Sequence, residues 1–270
     1  MYDINGNVIN PFYSSTGDTL YDAYDINGNI LYQNKITVMT YNIQKFTGRN
    51  SNQEMQTRIM NAYKPDIIGL QELGTGMPAL GTTLFANYPY QFIGSETNKA
   101  GIVSRIVLSN PTFTAYTSKA SETRGYEKAY ITVNNKQIAL FNTHLEVKGG
   151  TPHIAQAIEL FDELQEETSF IAIGDYNVEC HDTADSEYTN VIKQFVDAGY
   201  NLSNWTTETG FVDTWFNGTT VEGSSWVCPC DNIITSADID ITNIVYDPIK
   251  LEYTSNVIDH IAVIAELTIN

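Results

Sequence analysis

The apolar positions of this chain fall into short runs. Phe170-Ile171-Ala172-Ile173 is the clearest. Four apolar residues in a row, too few for a helix of their own, read as a strand buried on both faces. Gly174 ends the run, and Asp175-Tyr176-Asn177 comes next. Residues i and i+2 of an extended segment point the same way, so Asp175 and Asn177 are expected to project together from the end of a core strand. A carboxylate accepts hydrogen bonds and a carboxamide both donates and accepts, so such a pair can orient one water molecule or one ligand oxygen. The plainer alternative is an Asp/Asn turn closing the strand.

The same pattern recurs along the chain. Residues 36–41 are rich in β-formers and deliver Asn42 to a strand end. Residues 66–72 form a second buried run ending in Glu72. Strands are also expected at 91–93, 101–108, 231–236 and 257–264, the last containing Asp259-His260. Residues 129–133 and 137–142 flank Asn134-Asn135 and predict a hairpin running into His144. Helical spacing appears at 51–63, closed by Pro65, and at 187–198, stopped by Gly199. It appears again at 152–167, where Ile154, Ile158, Phe161 and Leu164 share a face. Strands and helices alternate without a regular βαβ beat, which predicts mixed sheets.

Residues 1–34 differ from the rest of the chain. Tyr2-Asp3-Ile4-Asn5-Gly6-Asn7 recurs as Tyr24-Asp25-Ile26-Asn27-Gly28-Asn29, each copy followed at once by apolar residues. Asn-Gly in that setting is a strong hairpin signal. A tandem repeat of two small β-hairpins is expected at 1–34, suited to attachment or larger assembly, ahead of a main domain at 35–270.

Composition narrows the chemistry. The chain has 270 residues, 42% of them hydrophobic, and a formal charge of −18 from 32 acidic against 14 basic residues. It is long enough to bury a large core. The acidic excess argues against whole-surface binding of a phosphate backbone but leaves room for a cation among carboxylates. Cys180, Cys228 and Cys230 are too few for a clustered zinc site. No apolar run reaches membrane-spanning length, and Met1-Tyr2-Asp3 lacks the basic start of a secretion signal. The compartment is left open by this, between a cytoplasmic and a virion- or cell-surface-associated setting in a bacterium or phage.

Asn42, Glu72, His144, Asp175, Asn177, Asp231, Asp259 and His260 all sit at or near predicted strand ends. Polar groups on one rim of a sheet form a site by construction. An acid-rich rim repels itself unless a cation occupies it, and hard oxygen ligands favour Mg²⁺ over zinc. Metal, acids and histidines together suit hydrolysis of a phosphate ester.

The ordered series Thr40-Tyr41-Asn42-Ile43, Leu70-Gln71-Glu72, Asn142-Thr143-His144-Leu145, Gly174-Asp175-Tyr176-Asn177 and Asp259-His260-Ile261-Ala262-Val263 resembles the endonuclease/exonuclease/phosphatase superfamily. The resemblance spans about residues 35 to 270 and implies a four-layer α/β/β/α sandwich of two mixed sheets. It implies Glu72 as the main metal-binding acid, with Asn42 and Asp259 near a Mg²⁺ or Mn²⁺ ion. Asp175 would orient or deprotonate the attacking water, and Asn177 would hold water or phosphate. His260 would contact the scissile phosphate or act as general acid or base, with Asp231 holding its imidazole. His144 resembles the second histidine, and Arg124 a phosphate-contacting arginine. Asp213 resembles a structural position. Ile258 replaces the family's usual serine, and Asn232 stands where an aromatic residue often follows the orienting Asp.

The resemblance is compatible with three functions. The first is a Mg²⁺-dependent nuclease acting on DNA, with Lys45, Arg49, Lys99, Arg105, Lys119, Arg124 and Lys128 as a local basic rim. The second is a phosphatase or phospholipase of inositol phosphate or sphingomyelin type, with the same catalytic residues. The third is a non-catalytic binding module that kept the fold.

Overall fold

The computed structural model describes residues 23–24, 30–31, 34–43, 59, 62–73, 87–95, 99–119, 122–147, 151–179, 183, 185–204, 212–215, 228–247 and 260–270. Strands β1 (Ala23–Tyr24) and β2 (Ile30–Leu31) pair antiparallel as a sheet of their own, and the second Asn-Gly between them lies outside the described residues. The first copy of the repeat lies outside the described residues.

The remaining strands form two six-stranded sheets. One contains β3 (Lys35–Asn42), β4 (Ile67–Gln71), β5 (Tyr90–Ile93), β6 (Gly101–Ser104), β13 (Ile239–Tyr246) and β14 (Val263–Ile269), in the order β13-β14-β3-β4-β6-β5. The other contains β7 (Ser109–Ala115), β8 (Gly125–Val133), β9 (Lys136–His144), β10 (Phe170–Asp175), β11 (Asn201–Leu202) and β12 (Asp231–Thr235), in the order β11-β12-β10-β9-β8-β7. Each sheet has one parallel pair at its centre, β3 with β4 and β9 with β10; the other pairings are antiparallel. Both sheets are therefore mixed, as expected.

Three apolar clusters define the layers. Ile36, Val38, Ile67, Leu140, Ile171, Ile173 and Ile233 meet between the sheets. Phe141, Phe170 and Ala172 face helix α1 (Thr151–Gln165) and the segment ending in α2 (Lys193–Asp197). Met39, Tyr41, Ile68 and Leu70 form a third cluster with Ile59, which is helical. The result is an α/β/β/α sandwich. Central strands buried on both faces lose the usual apolar–polar alternation, which is why residues 170–173 read as one continuous run.

The hairpin joining β8 to β9 turns through Asn134 and Asn135, whose φ angles of +50° and +64° are those of a type I′ turn. Several expectations shift. Strand β6 ends at Ser104 rather than Leu108, because the Ser104 side chain bonds the Ile106 N–H and competes with the ladder. The strand expected at 257–264 is β14, Val263–Ile269, set by pairing along β3, and His260 precedes it. The helix expected at 187–198 contains a π-helical turn, Tyr188–Ile192, ahead of α2. On α1 the buried residues are His153, Gln156, Ala157, Leu160 and Leu164, and Ile158 is exposed, so the face is rotated from the apolar stripe. Strands β7 and β13 have no counterpart among the expected elements. Both are sheet edges with exposed residues and a register shift, and Pro111 and Asn110 at φ +50° interrupt the β-pattern of the first.

The sheets approach closely at Gly69. A Cβ there would lie 2.5 Å from Asn142 Oδ1 and 2.9 Å from Ile173 Cγ2, both on the opposite sheet. Gly69→Ala should lower stability by about 1–3 kcal/mol, read as a reduced urea midpoint; an unchanged midpoint would show that the sheets have room to part.

Candidate active site

Strand register brings the polar residues together. Side chains of a strand alternate between its faces. On β3 Ile36 and Val38 face the other sheet, so Asn42 shares that inner side. By the same parity Asp175 follows Ile171 and Ile173, His144 follows Leu140, and Asp231 stands with Ile233. Each strand carries apolar residues along its inner face and a polar residue at one end. Parallel pairing aligns Asp175 with His144 and Asn42 with Gln71. Antiparallel pairing puts Asp231 opposite Asp175, and Val263, just after His260, opposite Thr40. All these ends lie on one rim.

Asp175 is the hub. Asn42 Nδ2 donates to its Oδ2 at 2.9 Å, and the Asn177 backbone N–H donates to its Oδ1 at 2.8 Å. His144 Nε2 is 3.3 Å and His260 Nε2 3.7 Å from Oδ2. His260 Nδ1 sits 2.8 Å from Asp231 Oδ2. A carboxylate on Nδ1 fixes the tautomer and turns Nε2 toward Asp175. The segment 212–215 braces this pair: Thr214 Oγ1 accepts the Asp231 N–H at 3.0 Å, and Trp215 forms a β-bridge with His260.

No protein-family profile and no curated protein sequence matches the chain. Solved structures do. TDP2 of D. rerio, complexed with single-strand DNA product, superposes with a TM-score of 0.70 at 18% identity, over 87% of this chain and 100% of that one. An endonuclease/exonuclease/phosphatase family protein of Bacteroides thetaiotaomicron gives 0.69 at 16% identity, over 88% and 97%. The human Nocturnin catalytic domain with bound sulfate anion gives 0.67 at 18% identity, over 87% and 94%. The chain has the endonuclease/exonuclease/phosphatase fold.

Within that fold the electrostatics are set by burial. Asp175 is 1% exposed. Burial pushes its carboxyl up to about 6, and Asp231 pushes the same way. The His260 imidazole, the Asn42 amide and the Asn177 N–H oppose the rise. His144 is driven well below the usual imidazole range, first by burial, then by the Arg124 and His260 charges. It is therefore neutral at pH 7. Arg124 is buried, with Nη2 3.1 Å from Glu122, and its Nε and Nη1 have no hydrogen-bond partner among the described residues. Asp231 Oδ1 is likewise buried without one.

Asn177 does not continue the extended alternation. Its φ is +50°, its N–H closes an Asx-type turn onto Asp175, and its Nδ2 donates to the Leu145 carbonyl at 2.8 Å. The structure therefore has the turn: the Asn177 backbone meets the Asp175 carboxylate, and its side chain is turned to Leu145 instead of projecting alongside Asp175. Glu72 directly follows β4, half-buried, with φ +53°. Asp259 lies outside the described residues. Asp175, Asp231 and His260 offer ligand atoms within 4.8 Å of one another and form a group that can hold a metal ion.

Two basic residues expected on a rim stand elsewhere. Arg105 pairs with Asp66, which precedes β4 and so lies at the end away from Glu72. Lys128 pairs at 2.8 Å with both Glu163 and Glu167, acids of α1 and the residues just past it. Lys119 is exposed, and Lys45 and Arg49 lie outside the described residues. Asp213 accepts the Cys228 N–H, which agrees with a structural position. Asn232 accepts from the Ser203 hydroxyl at 2.8 Å and the Asn204 N–H at 3.0 Å, so it ties down the loop beside β12.

Sequence reasoning missed a polar ladder behind the rim. Gln71 Nε2 donates to Asn142 Oδ1 at 2.7 Å, and Asn142 Nδ2 donates to Glu127 Oε2 at 2.8 Å, linking the two sheets. Inner-face parity would have flagged Gln71 and Asn142, which lie inside two of the motifs.

A raised carboxyl penalises its ionised form in the folded chain. The penalty is absent below the unfolded value of about 4 and grows as pH rises through 6. In metal-free protein, Asp175→Asn should therefore add about 1–3 kcal/mol of stability at pH 7.5. The gain should vanish near pH 4. Melting curves at the two pH values test this; a variant less stable than the parent at pH 7.5 would contradict it.

Proposed function

We propose that the chain is a metal-dependent phosphoesterase, and that its substrate is a phosphodiester of DNA. The reading rests on one observation: a buried Asp175 carboxylate held between Asn42, the Asn177 N–H, His144 and the Asp231-braced His260. Two imidazoles and two amide donors surround one carboxylate at a rim, where hydrolysis of a phosphate ester needs groups that hold or move protons.

Each side chain then has a role. Asp175 accepts the proton of the attacking water; with its carboxyl near 6 it is ionised yet basic at neutral pH. Asn42 and Asn177 hold that carboxylate in place. His260 presents Nε2 to a phosphoryl oxygen, and Asp231 stabilises it when it carries charge. His144, neutral and 3.3 Å from Asp175, contacts a second phosphate oxygen or the leaving group. Arg124 brings two buried N–H groups that await an anion.

Glu72, with the Asn42 carboxamide and Asp259, is proposed to hold Mg²⁺ or Mn²⁺. The donors are hard oxygens, as such ions require. When bound, the ion neutralises charge developing on the phosphoryl oxygens. In the Asp175, Asp231 and His260 group, by contrast, Asp231 Oδ2 is engaged with the imidazole, so that group is read as the proton-handling half. The choice of DNA draws support from D. rerio TDP2, which was solved with a single-strand DNA product.

A panel of plasmid DNA, single-stranded DNA, RNA, inositol phosphates and sphingomyelin, with Mg²⁺, Mn²⁺ or chelator, tests the reading. DNA should be cleaved with metal and spared with chelator. Turnover confined to inositol phosphates or sphingomyelin would replace the nuclease by a phosphatase or phospholipase, and none on any substrate would favour a binding module. Glu72→Gln should cost at least about 100-fold in Mg²⁺-supported rate while the fold persists. His260→Ala should cost about 10²–10⁴-fold in kcat. A loss of only a few-fold for either would move the site elsewhere.

A further inference from the structure

Helix α1 carries two polar side chains with no exposed surface, His153 and Gln156, on its buried face. Neither belongs to the rim. Apolar residues would fill such positions more cheaply unless the polar atoms have partners. Both have them. Gln156 Oε1 accepts the Glu146 N–H at 2.7 Å, and its Nε2 donates to the Ser118 carbonyl at 2.9 Å. His153 Nε2 is 2.8 Å from the Tyr176 carbonyl oxygen. A carbonyl only accepts, so Nε2 carries the proton. His153 Nδ1 faces Glu187 Oε2 at 3.3 Å.

The bonded carbonyl matters because of where it lies. Tyr176 links Asp175 to Asn177. Its N–H donates to the Cys230 carbonyl at 2.7 Å, so the residue is gripped on both sides. The next N–H along, that of Asn177, is the one that holds Asp175 Oδ1. Asn177 itself sits at φ +50°, a conformation that costs a non-glycine residue roughly 1 kcal/mol or more and persists where its surroundings enforce it. The Tyr176 carbonyl and the Asn177 N–H belong to one planar peptide group. Fixing the oxygen therefore fixes the direction of the N–H.

We propose that His153 is a positioning residue: by donating Nε2–H to the Tyr176 carbonyl it sets the Tyr176–Asn177 peptide plane, and through it the orientation of the Asp175 carboxylate. His153 Nδ1, 3.3 Å from Glu187 Oε2, makes no hydrogen bond among the described residues, so the Tyr176 carbonyl is the one hydrogen-bond partner of the ring there. Gln156, one turn along, secures the loop after β9, whose Leu145 carbonyl accepts from Asn177 Nδ2. The consequence for catalysis rests on the phosphoesterase reading above; the peptide-plane claim does not.

The experiment compares the full chain with His153→Leu, His153→Gln and His153→Asn. Leu removes the donor and keeps bulk. Gln places an N–H where Nε2 stood, and Asn falls short of it. The first readout is hydrogen exchange of the Asn177 amide, followed by NMR without substrate. Protection should fall at least about tenfold in the Leu and Asn variants and return to within about threefold of the parent in the Gln variant. The second readout is DNA hydrolysis with Mg²⁺. The kcat should fall about 10- to 100-fold for Leu and Asn, the scale of a misplaced catalytic group, with KM within about twofold, and Gln should recover most of it. Equal protection in the Gln and Asn variants overturns the proposal, even if the Leu variant fails to fold. Unchanged protection in a folded Leu variant overturns it too. A parent that hydrolyses nothing but shows the exchange pattern would sink the phosphoesterase reading and leave the positioning claim standing.

Discussion

Everything at the rim depends on inner-face parity in two sheets packed face to face. A strand buried on both sides has two inward-looking rows, one toward the helices and one toward the other sheet. Isoleucine, valine and leucine fill the inter-sheet row along most of its length. At one end the same row passes to Asn42, Gln71, His144, Asp175 and Asp231. Because β3 runs parallel to β4 and β9 to β10, their polar ends fall together. A register slip of one residue would turn every one of them onto the helix side. Apolar packing, which rewards the correct register, therefore also assembles the polar cluster.

That assembly carries an electrostatic penalty. Asp175 and Asp231 stand opposite each other on adjacent strands, both buried. Two carboxylates so placed resist joint ionisation. The fold offsets this with oriented donors: the Asn42 amide, the Asn177 N–H, and the His260 imidazole between the two acids. What is left over appears as the raised Asp175 carboxyl and the unpartnered Asp231 Oδ1. Sites that do chemistry are commonly built at such cost to stability. A buried Arg124 with two waiting donors belongs to the same pattern.

Much of this was legible from residue order alone. The runs 36–41, 66–72 and 170–173 and the Asn134-Asn135 hairpin declared the central strands, because two-sided burial and turn chemistry leave strong local marks. Edge strands β7 and β13 left weak ones, since one side of each meets solvent and both are interrupted. Helix α1 misled through its apolar residues: Ile158 looked inward by spacing but is exposed, while His153 and Gln156 took the buried face for their hydrogen bonds. Asp175, His144 and Asn42 were nameable because polar residues ended apolar runs, and the Asp231–His260 pair because the resemblance implied it. The ladder through Gln71, Asn142 and Glu127 was passed over, although inner-face parity marks Gln71 and Asn142, because the Gln71–Asn142 bond that completes it crosses between sheets and neither strand shows it alone. Nor could spacing alone reveal that Lys128 and Arg105 are tied up by acids away from the rim.

The central claim is that packing forces Asp175 into a buried cluster where its carboxyl is hard to ionise yet held ready. Carbon-13 NMR of the Asp175 side-chain carboxyl, titrated in chelator-treated protein, measures this directly. The account predicts a midpoint near 6. A midpoint near the ordinary aspartate value of about 3.9 would mean that the carboxyl is solvated, and the cluster as described would not exist.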